Sequence, residues 1–174
     1  MIEFWIMLLI LAAQRLSELF ISKRNAEWLK AQGGYEVGAE HYKYMVALHS
    51  TWFLAMIAEH CARHTKLTEW WQIVLPVILL TQVARYSVIA TLGKFWNTRV
   101  FVVPNAPLVR KGLYRFLKHP NYWVVAIEIA LFPLLFELYA TAFIYSILNA
   151  IMLAVRIRVE ENALQRKDDA CARV

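Results

Sequence analysis

Five apolar stretches dictate what this chain can fold into. They cover residues 2–21, 44–61, 72–92, 122–136 and 139–156. Several approach the ~20 residues that an α-helix needs to cross the hydrocarbon of a bilayer. Across 174 residues, 60% are hydrophobic, more than a soluble domain of this length carries. The expected fold is therefore all-α: a single integral membrane domain, residues 1–174, of about five transmembrane helices. The last two stretches are shorter and share "FPLLFELYA", where Pro133 helps break the run, and a tight helical hairpin is expected. The first stretch lacks the lysine-rich start of a signal peptide, begins with Glu3, and is interrupted by Arg15 and Glu18.

Basic residues predict the orientation. Lys23, Arg24, Lys30 and Lys43 follow the first stretch, and Lys94, Arg99, Arg110, Lys111, Arg115 and Lys118 follow the third. Arg156, Arg158, Arg166, Lys167 and Arg173 follow the fifth, whereas the opposite side carries Arg63 and Lys66. This places the N-terminus outside, and the C-terminus and the 93–121 loop in the cytoplasm. The net charge of +6 then reads as this asymmetry plus affinity for anionic membrane lipids, not as a nucleic-acid footprint. Cys61 and Cys171 have no spacing that suggests a disulfide or a zinc site, so no metal is expected. There is no Gly-x-Gly-x-x-Gly and no P-loop lysine pattern. The terminal "CARV" departs from a prenylation box, because Arg173 is not aliphatic.

Ionisable and amide side chains inside apolar stretches are costly and have a partner or a task. Here they are Gln14, Arg15 and Glu18, then His49 and Glu59, then Gln82 and Arg85, then Glu128, and finally Asn149 and Arg156. Arg15 and Glu18 are spaced to meet at i+3. Interhelical ion pairs account for most of these residues. Glu128 lies two turns below His119-Pro120 and reads either as a group of a substrate cavity or as the buried partner of Arg85.

In "LKHPNYW", Pro120 suits the first turn of a helix, which makes His119 the N-cap. A helix start of this kind, with Lys118, Arg115 and Arg110 beside it, is suited to an anionic group. Downstream, "RIRVEENAL" continues the fifth helix, with Arg156 and Glu160 one turn apart and Glu161 beside them. Two adjacent glutamates could hold an ammonium or a diol, or form a solvated pair with Arg156.

"GLYRFLKHPNYW" followed about forty residues later by "RVEENAL" resembles the isoprenylcysteine carboxyl methyltransferase family, itself related to the membrane phospholipid N-methyltransferases. Gly112, Tyr114, Arg115, His119, Pro120, Tyr122, Arg156, Glu160 and Glu161 match its pattern. Leu113 stands where proline is usual, and Lys118 where arginine is usual. The N-terminal half, with "HYKYMVALHS", resembles a bacterial subgroup associated with type III polyketide synthases. The resemblance implies S-adenosylmethionine as cofactor, bound within residues 93–167 by Tyr114, Arg115, His119, Pro120, Tyr122, Glu160 and Glu161. It implies a lipophilic acceptor from the bilayer, either an alkylpyrone or alkylresorcinol hydroxyl or a prenylated cysteine carboxylate. His119 or Glu128 would serve a hydroxyl acceptor as base, and Arg156 or Arg99 would orient a carboxylate. The setting would be a bacterial cell membrane, with the site facing the cytoplasm. A phospholipid N-methyltransferase-like enzyme, a nicotinamide-dependent membrane reductase and a non-catalytic membrane protein are the alternatives.

Overall fold

The computed structural model describes residues 2–104, 106–107 and 109–171. Five helices carry the five apolar stretches: α1 (Ile2–Ala31), α2 (Ala39–Arg63), α3 (Trp71–Leu92), α4 (Pro120–Leu134) and α5 (Tyr139–Cys171). α1, α3 and α5 are each long and apolar enough to cross a membrane, and α4 is a shorter apolar helix. α1 outruns its apolar stretch by ten residues, because "SKRNAEWLKA" consists mostly of good helix formers. At 1.5 Å per residue, its 30 residues span about 45 Å, more than the hydrocarbon core requires. The CARV reading falls on residues 171–174, whose side chains lie outside the described residues.

Polarity in α1 is inverted relative to a soluble helix. Ile2, Ile6, Leu9, Ile10, Leu16 and Phe20 are exposed, while the buried stripe runs Phe4, Leu8, Leu11, Glu18, Ser22, Asn25 and Leu29. Lipid accepts the apolar face, so the bundle interior is where polar groups find partners. α5 behaves alike: Ala142, Asn149, Arg156 and Ala163, each seven residues apart, are buried. The apolar core gathers at one end, around Phe4, Leu8, Trp52, Met56, Ile129 and Phe132. The polar stripes converge toward the other end.

α4 and α5 form the expected hairpin, and α4 ends one residue past Pro133. Pro133 lies in the last turn of α4, and its carbonyl accepts the N–H of Phe136 and of Leu138, both at 3.0 Å. The reversal is made by Glu137 in the left-handed conformation (φ 57°). Glu59 of α2 then caps α5, accepting the backbone N–H of Ala140 at 3.2 Å and of Thr141 at 2.8 Å.

One addition to the all-α expectation lies at the loop end of the bundle. Strands β1 (Tyr35–Val37) and β2 (Val100–Val102) form a two-stranded antiparallel ribbon. The segment before β2 is pinned to α1. Asn25 donates to the Trp96 carbonyl at 2.7 Å, and Asn97 donates to the Ser22 carbonyl at 2.9 Å. A 3-10 turn, Gly112–Arg115, leads toward α4. Gly112 has φ 54°, and a Cβ there would meet the Thr91 hydroxyl at 2.7 Å, so both space and backbone conformation require glycine.

Candidate functional site

α4 begins at Pro120 with His119 at the N-cap position, but the His119 side chain makes no capping bond. Its ring stacks on Tyr122 instead, with centroids 5.2 Å apart and planes 13° from parallel. Its Nε2 lies 3.4 Å from Glu161 and its Nδ1 3.9 Å from Glu160. The Tyr122 hydroxyl accepts from Arg156 Nε at 2.9 Å and donates to Glu160. Arg156 and Glu160 are thus joined through Tyr122. Among the described residues, no carboxylate lies within ion-pair distance of Arg156, which is only 6% exposed.

Two cavities meet at this cluster. The first, about 120 Å³, opens at the loop end and is lined by Tyr114, Lys118, His119, Tyr122, Arg156 and Glu160, with Phe95 and Trp96 among its aromatic walls. Burial, then the Glu160 charge, pushes the Tyr114 phenol above its ordinary pKa. The second cavity, about 160 Å³, lies deeper, between the helices. Leu19, Val46, Val125, Met152 and Leu153 give it apolar walls, and Arg15, Glu18, His49, Arg85, Asn149 and Arg156 give it polar ones. Trp96, Asn121, Tyr122 and Arg156 line both cavities, so they form the partition between them. Trp96 Nε1, Asn121 Oδ1 and Asn149 Oδ1 are buried with no hydrogen-bond partner. Buried polar atoms of this kind ordinarily find a partner.

The charges beneath the second cavity form a network across three helices, α1, α3 and α4. Glu128 accepts Arg85 Nε at 2.9 Å and Gln82 at 2.8 Å, and it also pairs with Arg15 and the Arg85 terminal nitrogen. Glu18 accepts Arg15 at 2.8 Å and Arg85 at 3.2 Å. The expected pairs Arg15–Glu18 and Arg85–Glu128 are therefore both present, fused into one cluster. Glu128 is 0% exposed and lines neither cavity. Both its oxygens are engaged, and the arginines it holds are the groups that reach the second cavity.

Of the residues singled out in the sequence, Tyr114, His119, Tyr122, Arg156 and Glu160 line the first cavity. Pro120 is buried behind it as the helix start. Glu161 stands just outside, its side chain 49% exposed, facing His119 and Lys118. Arg115 is exposed and lies against the Phe116 ring, away from the cavity. Arg99 lines the first cavity but is paired with Glu36 at 3.0 Å, so it does not reach the second. Sequence reasoning did not single out Trp96 or Asn121. Asn121 carried a faint signal as the residue after His119-Pro120, whereas Trp96 in the basic loop carried none.

Residues 73–166 match the isoprenylcysteine carboxyl methyltransferase family. The chain is 44% identical to the uncharacterized protein YpbQ of Bacillus subtilis (strain 168), over 93% of this chain and 96% of that one. It is 27% identical to an uncharacterized protein of Haemophilus influenzae (strain ATCC 51907 / DSM 11121 / KW20 / Rd), over 87% of this chain and 89% of that one. No solved structure matches it.

Proposed function

We propose, because the chain belongs to the isoprenylcysteine carboxyl methyltransferase family, that it is a membrane methyltransferase acting on an oxygen of a lipophilic acceptor, with S-adenosylmethionine as donor. The observation that carries this reading is the shared partition. A charged, aromatic cavity open at the loop end and a mostly apolar cavity between the helices have Trp96, Asn121, Tyr122 and Arg156 in common. A water-soluble donor and a bilayer-soluble acceptor need two such compartments with one contact surface.

The residues of the first cavity fit the donor's charges. Glu160 suits its ammonium and Lys118 its carboxylate, while the unpartnered Trp96 Nε1 and Asn121 Oδ1 offer one donor and one acceptor to its polar groups. When bound, S-adenosylmethionine supplies a methyl group already activated on a sulfonium. The protein's contribution is then mainly positioning. Tyr122 holds Arg156 and Glu160 in fixed relation across the partition. Arg156, with no carboxylate in ion-pair distance among the described residues, presents a positive charge to the second cavity, where an acceptor oxygen carries negative charge during reaction. Glu128 serves as a positioning residue, keeping Arg15 and Arg85 in the cavity wall. His119 and Glu161 close the rim. The basic excess at the loop end supports a site on the cytoplasmic side, and the two bacterial relatives support a bacterial cell membrane.

Calorimetry on the purified protein in detergent tests this directly. S-adenosylhomocysteine is expected to bind and NADPH is not. Binding of NADPH without any response to S-adenosylhomocysteine would favour a reductase. Incubation with methyl-labelled donor and bacterial lipid extract is expected to label a lipophilic product.

A further inference from the structure

We propose that His49 takes the proton of the acceptor, and hence that the reacting group is a lipophilic hydroxyl and not a carboxylate. This rests on the methyltransferase reading above. His49 Nδ1 lies 2.8 Å from the backbone carbonyl of Met45, one turn earlier in α2. A carbonyl can only accept, so Nδ1 carries the hydrogen and Nε2 is the bare, basic nitrogen of the neutral ring. The ring lines the second cavity, and no donor among the described residues reaches Nε2.

Among the described residues, the rest of the wall offers no second free base. Facing the same space are Arg15 and Glu18 from α1, Arg85 from α3, Tyr122 from α4, and Asn149 and Arg156 from α5. Tyr42 and Ser50 of α2 also lie on the wall. Glu18 is engaged by Gln14, Arg15 and Arg85. Asn149 leaves an unpartnered amide oxygen, but an amide does not accept a proton at neutral pH. A carboxylate acceptor would give Nε2 nothing to accept and would set its lone pairs against the nitrogen. A hydroxyl satisfies both: its hydrogen meets Nε2 and its oxygen faces Arg156.

In the step that follows, the acceptor O–H bond breaks and the proton passes to Nε2. The oxygen keeps the electron pair, and that pair forms the new bond to the methyl carbon while the carbon–sulfur pair stays on sulfur. The imidazolium afterwards releases its proton to water. Enough apolar wall surrounds this group, from Leu19, Val46, Val125, Met152 and Leu153, to take a hydrocarbon tail.

The test uses two probes on the full-length protein in detergent: a long-chain 5-alkylresorcinol, which bears hydroxyls, and N-acetyl-S-farnesylcysteine, which bears a carboxylate. Binding is followed by tryptophan fluorescence in the presence of S-adenosylhomocysteine, since Trp96 lines both cavities. The wild type is expected to bind and methylate the resorcinol in preference to the farnesylcysteine. His49→Asn keeps an N–H for the Met45 carbonyl and removes the basic nitrogen. It is expected to bind the resorcinol at least fivefold more weakly and to lose about 100-fold or more in turnover near neutral pH. Its rate should regain about tenfold per pH unit as the probe itself ionises, with affinity for S-adenosylhomocysteine within twofold of wild type. A wild type that methylates only the carboxylate would overturn the proposal. So would a folded His49→Asn variant with unchanged resorcinol binding, turnover and pH profile. Failure of the wild type to bind S-adenosylhomocysteine would instead overturn the methyltransferase reading on which the proposal stands.

Discussion

Arg156 Nε donates to the Tyr122 hydroxyl at 2.9 Å, across the wall that divides the two cavities. The same hydroxyl passes its own hydrogen to Glu160, so one phenol sets the positions of a buried cation and a cavity-lining anion. Tyr122→Phe removes both bonds while keeping the ring against His119. Hydrogen bonds to charged groups contribute about 1.5–3 kcal/mol each. Affinity for S-adenosylhomocysteine is expected to fall by roughly 10-fold or more, and the melting temperature to fall with it. Unchanged affinity by calorimetry would show that Glu160 does not need the tyrosine.

Glu160 and Glu161 are adjacent in sequence, but only Glu160 lines the first cavity. Glu160→Gln is expected to weaken S-adenosylhomocysteine binding by more than tenfold. Glu161 forms exposed pairs with His119 and Lys118, and such pairs contribute about 0–1 kcal/mol. Glu161→Gln should therefore weaken binding by no more than about fivefold. Equal losses in the two variants would place both carboxylates on the ligand.

Glu128→Gln tests the network across α1, α3 and α4. The substitution leaves Arg85 and Arg15 buried beside Glu18 alone, and breaking a buried pair by removing one partner costs about 3–5 kcal/mol. The melting temperature is expected to drop sharply, while the protein that remains folded keeps its affinity for S-adenosylhomocysteine. Normal stability with weakened binding would put Glu128 on the cofactor and contradict its placement away from both cavities.

Tyr114 gives a pH prediction. Burial, then the Glu160 charge, raises its pKa in the folded protein. A group with a raised folded-state pKa lends stability that is complete below its unfolded value, about 10, and is lost as pH rises through the folded value. Melting temperature should decline as pH climbs above 10, and Tyr114→Phe should flatten that decline. Phenolate absorbance should show this tyrosine titrating late or only on unfolding. A slope identical in both proteins would mean that the phenol is not buried against Glu160.

The helices were legible because apolar runs of bilayer length leave few other folds open. The start of α4 was legible because Pro120 can occupy a first turn at no cost in hydrogen bonds. The His119 ring was less so: its position as N-cap was readable, but its stacking on Tyr122 depends on Glu160 and Glu161 arriving from α5. Arg85 could be anticipated for Glu128, whereas Arg15, 113 residues away, could not. Pro133 marked the end of α4 to within a residue, whereas Glu137, which makes the reversal, carried no signal. The ribbon was hidden because "YEV" and "VFV" are too short to show an alternation and pair across 60 intervening residues or more.

The seven-residue stripe of α5 also limits how this chain can change length. Asn149 in the deep cavity, Arg156 in the partition and Glu160 in the outer cavity are all carried by one unbroken helix. An extra residue inserted between Asn149 and Glu160 would turn everything beyond it by about 100° and advance it by about 1.5 Å. Arg156 or Glu160 would then face lipid or a neighbouring helix instead of its cavity. The count of residues from Asn149 to Glu160 is thus held fixed by the pitch of a single helix.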